Sequence, residues 1–169
     1  MRKLLDHTYN AAGVLAALFL IGTLVMVLLG IAGRLLDFNV PGTDSYAGYC
    51  MAAAGFLALA HTLKRGDHIR VTLIVEHLRG RAQHALELWA LGVAALLAAL
   101  FALYSVRLSY QSWDFHDIST GNDAMPLWIP QLTMAVGTVI LLIALVDDFI
   151  LEWKGARIRK LPAEALHNE

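Results

Sequence analysis

Seven histidines, an acidic stretch before residue 124 and a single cysteine are the side chains of this 169-residue chain with the most chemical potential. Paired imidazoles can ligate haem iron or relay protons, and carboxylates can gather a cation or carry protons through a membrane. Each use requires a placement that this chain lacks. Only His61 approaches an apolar run, whereas His7 and His167 lie in the tails, His68, His77 and His84 in one connecting segment and His116 in another. Asp114, His116, Asp117 and Asp123 lack the regular spacing of a calcium loop and read as a solvated acidic segment, with aromatic neighbours suited to docking an external protein. Cys50 stands alone, which excludes an intrachain disulfide or a cysteine metal cluster and leaves a small buried filler. No nucleophile–base pair, phosphate loop or zinc motif is present. The chain does not read as an enzyme, and no catalytic, substrate-binding or metal-ligating residue is expected.

The elements that would position these residues are four stretches without a single Asp, Glu, Lys or Arg, at 11–33, 45–63, 88–106 and 124–146. At about 1.5 Å per residue, each helix would match the roughly 30 Å hydrocarbon layer of a bilayer. Thirteen basic and fourteen acidic residues are thereby confined to the gaps. A soluble bundle would place charge on a wet face every third or fourth position, and these runs have no such face. The expected fold is all-α, one integral membrane domain over 1–169 with spans at about 11–34, 45–64, 84–107 and 126–148. Arg2 and Lys3 before an apolar run resemble a signal peptide, but the run is too long and reads as a retained first helix.

Basic residues tend to stay cytoplasmic. Arg2 and Lys3, then Lys64, Arg65, Arg70, Arg79 and Arg81, then Lys154, Arg157, Arg159 and Lys160 fall in the N-terminal tail, second loop and C-terminal tail. The other two loops hold only Arg34 and Arg107, so both termini, including a tail over about 154–169, are expected in the cytoplasm. Between the second and third spans, Val71, Ile74, Val75 and Leu78 share one face, which predicts a short amphipathic interfacial helix at about 68–79. Ala90, Ala94, Ala98 and Ala102 repeat every four residues, and Gly48, Ala52, Ala54 and Ala58 make a similar pattern in the second span, giving ridges for close helix packing. Pro126 and Pro130 open the fourth helix, and Trp128 and Trp153 bracket it as interfacial anchors. Arg34 and Arg107 are expected to pair with Asp37, Asp44 or Asp114. Asp147 and Asp148 lie within reach of Lys64 or Arg65.

With these spans, the chain resembles the small membrane subunit, the Q-type component, of tripartite ATP-independent periplasmic (TRAP) transporters. The resemblance rests on Arg34 after span one, Asp44 at the start of span two, the Gly66-Asp67-His68-Ile69-Arg70-Val71 segment after Lys64-Arg65, and Ala124-Met125-Pro126-Leu127-Trp128-Ile129-Pro130 leading into span four. Thr72 stands where the family commonly has Asp, and Asp44 where Glu is commoner. The resemblance implies a subunit of the bacterial inner membrane that supports a large multi-span permease and works with a periplasmic substrate-binding protein. It implies uptake of organic anions, with sodium coupling in the large subunit and no cofactor here. Candidate structural or interface residues are then Arg34, Asp44, Arg65, Asp67, His68, Ile74, Leu78, Ala94, Ala98, Pro126 and Trp128, with the alanine ridges facing the partner. Two other readings stay open at this point: a membrane anchor of a respiratory complex, which a haem spectrum would reveal, and a stand-alone four-helix exporter, which would need an embedded carboxylate.

Overall fold

The computed structural model describes residues 2–38, 40–65 and 81–155. The expected interfacial helix at 68–79 lies outside the described residues, and with it Asp67, His68, Ile74 and Leu78, as does the tail from residue 156. The described residues form four helices, α1 (Arg2–Leu35), α2 (Thr43–Arg65), α3 (Arg81–Asp114) and α4 (Trp128–Trp153). All four are long and apolar enough to cross a membrane.

The helices outrun the charge-free stretches. α1 and α3 each have 34 residues, about 51 Å at the α-helical rise, well beyond the hydrocarbon layer. Charged side chains at a span's ends do not stop the helix, because their stems lie along apolar surface while their heads reach water. α1 therefore starts at Arg2, and α3 continues through Trp113 and Asp114, which the sequence reading assigned to the loop.

α1 packs on α2, α2 on α4 and α4 on α3, so the helices stand in the order α1, α2, α4, α3. Lys64 at the end of α2 meets Asp147 and Asp148 near the end of α4, while Tyr49 near the start of α2 meets Asp123 just before α4 begins. The two central helices thus run in the same direction. The outermost helix is barely covered: 6% of α1's apolar stretch is buried, against 33% for α4. Its buried positions are Tyr9, Ala12, Ala16 and Gly33, while Leu15, Leu18, Ile21, Leu24 and Leu28 are exposed. In water such a surface would drive aggregation; in lipid it costs nothing.

The interior is correspondingly rich in small residues, with Tyr9, Leu57, Leu63 and Leu145 the large apolar exceptions. Ala53, Ala54, Ala60, Ala98, Ala102, Ala135 and Ala144 are buried, and the largest side chains with almost no exposure are Thr138 and Ser105. Both hydroxyls donate to their own helix, Thr138 to the Met134 carbonyl and Ser105 to that of Phe101, so neither is left unpaired. The α3 ridge faces this chain rather than a partner at Ala98, which joins Ala60, Ala144 and Leu145 in one cluster, with Ala94 packed beside it. On α2 the small residues divide: Ala54 is buried, but Gly48 and Ala52 are exposed.

The closest approach is between the two parallel central helices. A β-carbon added to Gly137 would lie 2.6 Å from both the carbonyl carbon and oxygen of Phe56. Backbone cannot rotate aside as a side chain can, so α2 and α4 would have to separate. Gly137→Ala is expected to cost about 1–3 kcal/mol by overpacking, read as a lower unfolding midpoint in mild detergent. Gly48→Ala, which meets nothing within 4 Å, should leave the midpoint in place.

Candidate functional site

The polar side chains that join one helix to another gather at the two ends of the row. At the end bearing the chain termini, the Lys64 ammonium donates to Asp147 Oδ2 at 2.5 Å and Asp148 Oδ1 at 2.7 Å. It also lies 5.4 Å from the centre of the Tyr9 ring, a cation–π contact that brings α1 into the cluster. His61 Nδ1 lies 3.2 Å from the Tyr9 carbonyl oxygen; a carbonyl only accepts, so the proton is on Nδ1. A β-carbon on Gly13 would collide with the His61 ring at 2.7 Å, which is why α1 carries glycine there. On α3, His84 Nδ1 sits 2.9 Å from Oε1 of the buried Glu152. Two sets of contacts at this end therefore tie the helices together, Lys64 and His61 joining three of them and His84–Glu152 adding α3.

At the opposite end the segment after α3 folds back on α2. An antiparallel bridge joins Ile118 and Pro126, supported by Ser119 N–H to the Met125 carbonyl at 2.8 Å and Leu127 N–H to that of Asp117 at 3.0 Å. The turn carries Asp123 to α2, where the Tyr49 hydroxyl lies 2.9 Å from Ser119 Oγ and 3.0 Å from Asp123 Oδ2, and Ser119 donates to Asp123 Oδ1 at 2.9 Å. Gly42, at φ +80°, permits this approach, since a β-carbon there would meet Asp123 Cβ at 2.7 Å. Desolvation works to raise the Asp123 pKa, but hydrogen bonds from Ser119, its own backbone, Tyr49 and Ser45 outweigh it and hold the carboxyl below its ordinary value.

The acidic segment is thus two things at once. Asp123 is turned inward, while Asp114, Phe115, His116, Asp117 and Ile118 are exposed. Arg34 does pair with Asp44, at 3.7 Å, but both side chains are at least 80% exposed, so the pair contributes little. Arg107 does not pair with Asp114 or any other described residue, contrary to expectation. α3 runs two further turns beyond it, which carries Asp114 about 10 Å away along the axis.

Of the remaining candidates, Arg65 is exposed at the last position of α2, and it is Lys64 that reaches the carboxylates. Pro126 lies in the bridge before α4, and Trp128 is the first residue of α4, its carbonyl accepting from the Ser109 hydroxyl at 3.4 Å. Sequence reasoning missed Tyr9, Tyr49, Ser119, the His84–Glu152 pair and Gly137. A tyrosine hydroxyl just inside an apolar run was a usable signal for Tyr49; nothing in spacing pointed to His84 and Glu152. Among the described residues, no group of three or more His, Cys, Asp or Glu could hold a metal ion.

Such an arrangement ties together four helices long and apolar enough to cross a membrane, which defines a membrane component. The family model for the DctQ component of tripartite ATP-independent periplasmic transporters matches residues 23–155. The chain belongs to that family, and is a TRAP transporter small permease component rather than an enzyme. No curated protein matches it.

Lys64→Ala leaves two partly buried carboxylates facing each other and is expected to destabilise the protein by about 3 kcal/mol, measured by denaturant titration in mild detergent. Replacing Lys64 by Met with Asp147 and Asp148 both changed to Asn should recover most of that loss. Asp123 gives the opposite end an acid dependence. Because its folded pKa is depressed, its contribution is complete above the ordinary value of 3.8 and is lost as pH falls through the lower folded value. Amide exchange over 115–127 should accelerate in that window, and Asp123→Asn should abolish the pH dependence.

Proposed function

We propose that the chain is the static small subunit of a binding-protein-dependent importer for organic anions of the carboxylate class. The large permease subunit carries the substrate and the sodium that drives it, and a periplasmic protein delivers the substrate. The observation that supports this division is the confinement of charge to the helix ends. Moving an ion or anion through a bilayer requires polar or ionisable groups near the midplane, and this chain offers neither a carboxylate nor a basic side chain between its two end clusters.

A fixed subunit has a mechanical use. When one part of a transporter moves relative to the membrane, another must resist that movement, and long helices anchored at both interfaces provide resistance. α1 and α3 extend beyond the hydrocarbon layer, Trp128 begins α4 and Trp153 ends it. The positive-inside count supports an inner-membrane protein with both termini in the cytoplasm. In that orientation the exposed Phe115, Asp117 and Ile118 face the periplasm, the side from which a binding protein would dock, while Val71, Ile74, Val75 and Leu78 would brace the cytoplasmic interface.

A tagged chain is expected to co-purify with a large multi-span protein, and proteoliposomes holding both should take up a carboxylate only with the binding protein and an inward sodium gradient. Uptake by this chain alone, or by the large protein without it, would sink the proposal.

A further inference from the structure

Toward the loop end, α3 and α4 leave between them a groove of about 490 Å3, within the range of small-molecule pockets. Its floor is small and covered: Ser109 and Ala135 are buried, and the Ser109 hydroxyl is already bonded to the Trp128 carbonyl. Its walls are large and open, with Tyr110 and Trp113 from α3 facing Trp128, Val136 and Val139 from α4. Tyr110 and Trp113 are 62% and 56% exposed. On a membrane-spanning surface, that opening faces lipid.

The shape selects the occupant. A helix is about 10–12 Å across and settles against small residues that let backbones approach; here small residues lie only at the bottom, beneath aromatic and β-branched walls. A single flexible hydrocarbon chain meets that description. Two charged residues adjoin its α3 wall: the exposed Asp114, after Trp113 at the loop end, and Arg107, deeper along the helix. Arg107 follows the groove residue Val106 and lies three positions before Tyr110, which makes Arg107 and Tyr110 neighbours on the helix surface. It is exposed and makes no ion pair with a described residue. Tyr and Trp favour the depth of lipid headgroups, where an arginine meets phosphate.

We propose that this groove is a phospholipid-binding site, in which the phosphate pairs with Arg107 below Tyr110 and Trp113 and one acyl chain runs inward from there over Ala135, past Val106, Val136 and Val139. The site goes beyond the transport reading and does not depend on it. It gives the α3–α4 hairpin a lipid seam where protein packing is incomplete, and it makes use of Arg107, which has no ion pair with a described residue.

The full-length chain, purified in mild detergent with any co-eluting protein retained, would be placed in nanodiscs of phosphatidylethanolamine and phosphatidylglycerol. A portion of the phosphatidylglycerol would carry a photoreactive diazirine in one acyl chain. Peptides covering 106–113 and 128–139 should be labelled severalfold more than the equally apolar, exposed stretch 18–28 of α1, which reports ordinary surrounding lipid. Val136→Phe narrows the groove from a lipid-exposed wall without touching the core and should remove most of the excess. Arg107→Gln should do the same by removing the phosphate partner. Equal labelling of α1 and the groove, or an excess that survives both variants, would overturn the site. So would a Val136→Cys cross-link into another polypeptide, which would place a protein helix there instead.

Discussion

Lys64 between Asp147 and Asp148 is the contact on which the arrangement of helices depends. α2 and α4 are consecutive in neither sequence nor hairpin, so no short loop holds them side by side; the central seam is made by side chains alone. Along that seam Ala60, Leu63, Ala144 and Leu145 cluster and Gly137 meets the Phe56 backbone, apolar contacts that pack closely but discriminate poorly between registers. A slide of one helical turn would move the lysine about 5.4 Å away from its carboxylates. At the membrane's edge, where water is partly excluded, that separation would leave charges poorly solvated and unpaired. The ion cluster therefore sets register, and the small residues determine how near the backbones come.

The second polar cluster complements the first because it lies at the other end of the same two helices. Tyr49 of α2 is fixed to Ser119 and Asp123 in the segment that leads into α4. A pair of parallel helices tied at one end alone could splay at the other. Tied at both, with Gly137 admitting Phe56 midway, they form the rigid centre of the row. α1 and α3 are then added outside it, α1 through Tyr9 and His61 and α3 through Ala98 and the His84–Glu152 pair.

The four helices were legible in the sequence because lipid imposes a severe rule: charge is excluded over a length set by the bilayer, and the exclusion leaves gaps that can be read directly. That same rule hides the helix ends. Once a helix enters the headgroup layer, Arg2 or Asp114 no longer reports whether the backbone continues, so α1 and α3 were read as shorter than they are. The Lys64–Asp147–Asp148 contact was within reach of sequence reasoning because topology puts the ends of α2 and α4 on one side of the membrane. The neighbour order was not, since any of several arrangements satisfies that topology. Arg107 illustrates a subtler failure. Pairing it with Asp114 assumed that α3 stopped at the charge, whereas the continuing helix carried the acid two turns away.

A row of this kind has a different mechanical character from a closed bundle. In a closed four-helix bundle each helix touches two neighbours and the polar interior can house a site. Here α1 and α3 each rely on one principal neighbour. What the row gains is surface: broad apolar flanks on α1 and α3 remain for lipid or for another membrane protein. Small interior side chains and large exterior ones follow from the same cause. Inside, the solvent that would reward burying large apolar groups is missing, so close backbone packing supplies the attraction. Outside, Leu, Ile and Trp meet hydrocarbon and headgroups at no penalty.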